Sequence, residues 1–215
     1  AAFYALAMPE TGFRPAPRGE RSSFGHMAAT GRDGLRLVRS RPALLAILGI
    51  AAFAGMWSES YDRLWQAHLI EDVGLPSLGG LDPVVWFGLI NVVGLLAGIV
   101  ITSFLIPRFE HADNTALARA LMLLTAGVSA SVIVFGLAMG FAVALAAYMV
   151  ARLARRITEP LWLTWLNRNI EDSSVRATVT SMVNQTNALG EVAGGPGVGA
   201  VGTVVSLRAA IVLAG

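Results

Sequence analysis

A few charged and amide side chains interrupt an otherwise apolar text, and they are the groups with chemistry to offer. The first cluster is Ser58-Glu59-Ser60-Tyr61-Asp62-Arg63. Glu59 and Arg63 lie four residues apart with the acid first, the favourable order for an intrahelical pair. Two readings follow. The pair neutralises itself near a membrane interface, or Glu59 and Asp62 titrate protons while Arg63 tunes Glu59 or holds an anionic group. The second cluster is Glu191 with Asn184, Gln185 and Asn187. Asn184 and Asn187 precede Glu191 by seven and four residues, so they share one helical face. An amide-lined stripe with one carboxylate suits a water-filled path, and interhelical hydrogen bonding is the structural alternative. Arg155, Arg156 and Glu159 form a third group whose spacing permits pairing. Arg152 lies a turn deeper. These arginines read as interface anchors first and as cavity groups second.

The surrounding composition says what kind of molecule holds these groups. The chain has 215 residues, 55% of them hydrophobic and 14% charged. A soluble domain carries about 45–50% apolar and about 25% charged residues. The mean hydropathy of +0.63 is too high for one core to absorb. A disordered chain, a coiled coil and an ordinary soluble enzyme are excluded. Cysteine is absent, which removes disulfides, Cys-ligated zinc and thiol chemistry. The histidines His26, His68 and His111 are too scattered for a metal cluster, so no metal or cofactor is expected.

The elements that must position the clusters are long apolar stretches. Spans are expected at about 42–68, 83–107, 115–135, 138–158 and 177–205, with another starting at 206. About 20 apolar residues suffice to cross a bilayer. The second stretch contains polar Asn91 and Ser103, and Asn91 is a cavity candidate. Residues 120–151 form a run of 32 uncharged residues. As one helix it would measure about 48 Å against a hydrocarbon core of about 30 Å, so Gly136 and Gly140 are read as a hairpin. Trp162 and Trp165 follow the fourth span, where an aromatic belt belongs. His68, at the outer end of the first, reads as an interfacial histidine. Gly190/Gly194 and Gly195/Gly199 are small-xxx-small pairs that let helices approach closely, and Pro196 between them could bend the span into a gate.

All sixteen basic residues are arginine. Seven lie in the polar, Gly/Pro-rich segment 9–41, and two and five lie in the loops that should share its side, against Arg208 alone opposite. The positive-inside rule makes the 9–41 loop cytoplasmic. No aromatic interleaving accompanies these arginines, so no nucleic-acid partner is expected.

Three stretches together resemble a known family: FAGMWSESYDRLWQAHL (Phe53–Leu69), RRITEPLWLTWLNRNI (Arg155–Ile170) and RATVTSMVNQTNALGEVAGGPGVGAVG (Arg176–Gly202). They are similar to the C-terminal half of bacterial major facilitator superfamily transporters, in the drug- and macrolide-efflux-like branch. The resemblance implies an all-α membrane protein, the six-helix half of a twelve-span fold truncated at both ends. Residues 1–8 would end the sixth span, 9–41 would be the loop between halves, and 42–215 the C-terminal bundle. It implies multi-pass residence in a bacterial inner membrane, a missing N-terminal six-span half, a small-molecule substrate and proton coupling. Glu59, Asp62 and Glu191 become the proton-coupling candidates. Arg63, Asn91, Arg152, Asn184 and Asn187 become cavity candidates, and Gly190, Gly194, Gly195, Pro196 and Gly199 the gating and packing set. The loop PRFEHADN (Pro107–Asn114) departs from the family pattern, with only Arg108 and, further on, Arg119 matching its basic residues. The expected function is efflux of a small amphipathic molecule. A non-transporting scaffold or sensor on the same fold, or an uptake transporter, is the alternative. A membrane enzyme would need a nucleophile–base pair or metal-ligand spacing within the spans, and none is present.

Overall fold

The computed structural model describes residues 36, 42–77, 80–109, 111–170 and 173–215. The expected span end at 1–8 and the loop 9–41 lie outside these residues, Arg36 excepted. The chain divides into two units, Ala1–Arg41 and Pro42–Gly215, and the second holds six helices. These are α1 (Pro42–His68), which runs on into a π-helical turn at Leu69–Val73, α2 (Pro83–Phe109), α3 (Asn114–Leu137), α4 (Phe141–Asn169), α5 (Ser173–Val204) and α6 (Leu207–Ala214). Among the described residues there is no strand.

Local chemistry sets the helix starts. α1 and α2 open on Pro42 and Pro83, whose fixed φ suits the first helical position and whose missing N–H would be unbonded there anyway. The Asp113 carboxylate accepts from Ala116 N at 2.6 Å and caps α3. Ser206 Oγ does the same for α6, accepting from Ala209 N at 3.1 Å. Gly74 ends the π-turn at a φ of 81°, a left-handed angle that favours glycine. Ala138–Gly140 separates α3 from α4. α2 continues past Pro107 to Phe109, because a proline removes only one backbone hydrogen bond near a helix end.

Three segments are long and apolar enough to cross a membrane: Leu44–Val73, Pro83–Phe109 and Asn114–Leu137. α4 and α5 are longer, at 29 and 32 residues, yet fall outside that class. Arg152, Arg155 and Arg156 interrupt the apolar text of α4, and amides, threonines and glycines dilute that of α5. The five expected spans therefore divide into three apolar helices and two polar ones.

Packing follows the same division. α5 lies along α1, α4 lies along α3 and also meets α2, and α6 sits against α1, α3 and α5. An aromatic and aliphatic core joins Tyr61, Trp65 and Leu69 of α1 to Phe135 of α3 and Tyr148 of α4. A second core pairs Leu117 and Leu121 of α3 with Ile157 and Leu161 of α4. Outside these seams the surface is apolar: Val84, Leu96 and Phe104 of α2 are 75, 58 and 69% exposed. Lipid is a solvent that such a surface can face without cost, whereas water is not.

Candidate functional site

The charged cluster of α1 splits into two pairs with different partners. Arg63 Nε donates to Glu59 Oε1 within the helix. The Arg63 side chain is 75% exposed and that of Glu59 only 24%, so the carboxylate faces inward and its partner outward. Arg63 is thus paired within its own helix. Asp62 points elsewhere. Arg155 of α4 reaches it with both guanidinium ends, at 2.7 and 3.2 Å. The same guanidinium lies 4.9 Å from the centre of the Trp57 ring. A planar fork meeting a carboxylate and stacking on an aromatic face is what arginine supplies and lysine does not.

One turn back on α4, Arg152 Nη1 donates to Asn91 Oδ1 of α2 at 2.8 Å and to the Tyr148 hydroxyl at 3.1 Å. Two glycines of α2 make room for the arginines of α4. A Cβ on Gly94 would stand 2.9 Å from Arg152 Nε, and one on Gly98 would stand 3.7 Å from Arg156 Cγ. Two i,i+4 glycines therefore form notches for two i,i+4 arginines, a match visible in the sequence only once the two helices are known to be neighbours.

On α5, Asn187 Nδ2 donates to Glu191 Oε1 at 2.7 Å. The i−4 amide thus serves the carboxylate of its own helix. Close approach of α1 and α5 depends on glycine. A Cβ on Gly55 would overlap the Asn187 carbonyl, one on Gly190 the Ala52 carbonyl, and one on Gly194 the Met56 backbone. Gly195 sits beside Glu59, its Cβ position 3.6 Å from Glu59 Cγ. Gly199 has no neighbour within 4 Å of such a Cβ, so the expected Gly195/Gly199 contact is made at Gly195 only. Pro196 lies inside α5 without ending it.

A cavity of about 1130 Å³ gathers these groups. Its wall includes Trp57, Glu59 and Asp62 of α1, Arg155 of α4, and Asn184, Asn187 and Glu191 of α5. Asn91 and Arg152 do not line it. They line a separate space of about 480 Å³ with Asp62, Tyr148 and Arg156, and Asp62 and Arg155 border both. The sequence candidates thus fall on the two sides of the Asp62–Arg155 pair. Tyr148 stacks on Trp65 at 4.4 Å beside the smaller space.

His68, at the end of α1, is fully buried, with the Phe135 ring of α3 edge-on to it at 4.8 Å. Its Nδ1 lies 2.8 Å from Asp72 Oδ2 and its Nε2 lies 3.0 Å from the Phe135 carbonyl oxygen. The signal available beforehand was the His68–Asp72 spacing of four.

No protein-family model, curated protein or solved structure matches the chain.

Proposed function

We propose that this chain is the C-terminal six-helix half of a twelve-span secondary transporter of the major facilitator type, held in a bacterial inner membrane with residues 9–41 cytoplasmic. In this reading it exports a small amphipathic molecule by alternating access, driven by proton entry. The observation that carries the proposal is the cavity wall: Glu59 and Glu191, from two helices in glycine-mediated contact, open on one space with Asn184 and Asn187. A carboxylate within a span costs at least about 2.5–3.5 kcal/mol at its centre, and such groups mark ion and substrate paths. Secondary transporters place their sites near the midplane and rock two repeats around them, so the second repeat would supply the facing wall.

Glu59 and Glu191 are the proton carriers in this reading, with Asn184 and Asn187 lining the path. Arg155 fixes Asp62 at the boundary of the two spaces. Import would use the same geometry with the coupling reversed.

The ion pairs favour a second reading. Glu59 has Arg63 and Asp62 has Arg155, so each acid of α1 is already neutralised. A non-transporting scaffold or sensor needs no more than that. The test is movement of an amphipathic dye such as ethidium in vesicles holding the product of the complete reading frame. Dye accumulation that collapses with the proton gradient supports export. Absence of any gradient-driven movement, with the protein inserted, favours the scaffold.

A further inference from the structure

We infer that the smaller space between α1, α2 and α4 binds the carboxylate of a long-chain amphiphile, a fatty-acid-type anion whose chain lies along α2 and α4. The deduction starts from charge. Arg152, Arg155 and Arg156 border this space, against the two carboxylates of Asp62 and Glu159. Asp62 is taken by Arg155 at 2.7 Å. Among the described residues neither Arg152 nor Arg156 takes part in an ion pair. Arg152 donates only from Nη1, and only to neutral acceptors, Asn91 and the Tyr148 hydroxyl. A guanidinium carries five N–H donors, so its Nε–Nη2 edge is left without an acceptor among these residues. Such an edge is a fork that matches a carboxylate. Gly94 keeps room beside it, since a Cβ there would stand 2.9 Å from Nε. A cation inside a bundle is costly unless it is paired, and a bound anion removes that cost. The arginines exceed the carboxylates by one, so a singly charged ligand balances the space and a dianion overshoots.

The second half of the ligand follows from the neighbouring groove. Arg156 and Glu159 also border a space of about 480 Å³ along α2 and α4. Its α2 wall holds Leu95, Ile99 and Ile106, with Thr102 and Ser103 among them. The two hydroxyls donate to the Gly98 and Ile99 carbonyls at 2.7 and 2.8 Å, so they are spent within their own helix. What remains is an apolar groove that meets the polar space at Arg156 and Glu159. A ligand that fills both has an anionic head and an aliphatic chain.

A phospholipid of the surrounding bilayer matches the charge but not the depth. Counted from the first residues of α2 and α4, Asn91 and Arg152 lie roughly 12 and 16 Å along their helices. That is well inside the apolar run of α2, beyond the interfacial layer where a phosphoglycerol head resides. A bare carboxylate is small enough to be drawn to that depth by an arginine. Binding requires neither export nor a proton gradient, so the inference stands or falls apart from the proposed function.

The test is native mass spectrometry of the 215-residue chain released from maltoside micelles. The probes are palmitate, hexanoate, phosphatidylglycerol and cetyltrimethylammonium. The expected result is one palmitate per chain, with hexanoate unable to displace it at equal concentration. Arg152→Gln and Arg156→Gln should each weaken palmitate binding about 10-fold, the loss of one charge-assisted contact. Arg119→Gln, at an exposed position on α3, should leave it unchanged. Arg156 is exposed and makes no hydrogen bond among the described residues, so its variant keeps the test valid if Arg152→Gln fails to fold. Full palmitate affinity in Arg156→Gln overturns the inference. So does cetyltrimethylammonium binding as tightly as palmitate, or phosphatidylglycerol binding more tightly, which would assign the site to a bilayer lipid.

Discussion

Arg155 of α4 grips both carboxylate oxygens of Asp62 on α1, 93 residues away in the chain. This pair links the helix that carries Glu59 to the helix that carries Arg152, and both of its residues border the two spaces those residues line. Asp62 is 54% exposed, so water screens its attraction to Arg155. A double-mutant cycle with Arg155→Ala and Asp62→Ala, followed by unfolding in micelles, should give a coupling of about 0.5–1 kcal/mol. Additive effects would mean that the two side chains do not work as a unit.

Glu59→Gln separates carrier from structural partner. The variant keeps the shape of the side chain and removes the titratable group. In the transport reading, proton-driven export is lost while the protein still inserts. Adding Arg63→Gln should not restore it. In the scaffold reading the double neutralisation leaves every property unchanged, and normal export by Glu59→Gln would remove Glu59 from the mechanism.

The glycines of α5 should respond in opposite directions. Gly190→Ala drives a Cβ into the Ala52 carbonyl and should cost about 1–3 kcal/mol, the usual range for overpacking. Gly199→Ala meets nothing within 4 Å and should gain about 0.5–1 kcal/mol from helix propensity. Unfolding midpoints of the two variants give the comparison. Equal losses would mean that both glycines are packed.

Much of the fold is legible in the text because helix boundaries are written locally. The span starts at 83 and 206 match the starts of α2 and α6 to within a residue, and the apolar runs of α2 and α3 carry their own length. The partners of the charged groups are another matter. Arg155 has Glu159 four residues on, a spacing that suggests a pair, yet its carboxylate comes from Asp62 on another helix. The notches at Gly94 and Gly98 mean nothing until α4 lies against α2. The burial of His68 is supplied in part by Phe135, 67 residues away in the chain. Local periodicity encodes elements, whereas long-range ion pairs and burial are set by which helices meet.

In the transporter reading α4 crosses the membrane in spite of Arg152, Arg155 and Arg156. The chain has no cysteine, so single cysteines can be placed on an otherwise blank background. Leu81, His111, Gly140 and Asn169 are exposed positions beside or between the helices. Each is replaced in turn by cysteine, and intact cells are treated with a membrane-impermeant maleimide. The account predicts labelling at positions 81 and 140 from outside, and at 111 and 169 only after the membrane is opened. Labelling of 140 and 169 from the same side would show that α4 does not cross, and would contradict the five-span arrangement on which the transporter reading depends.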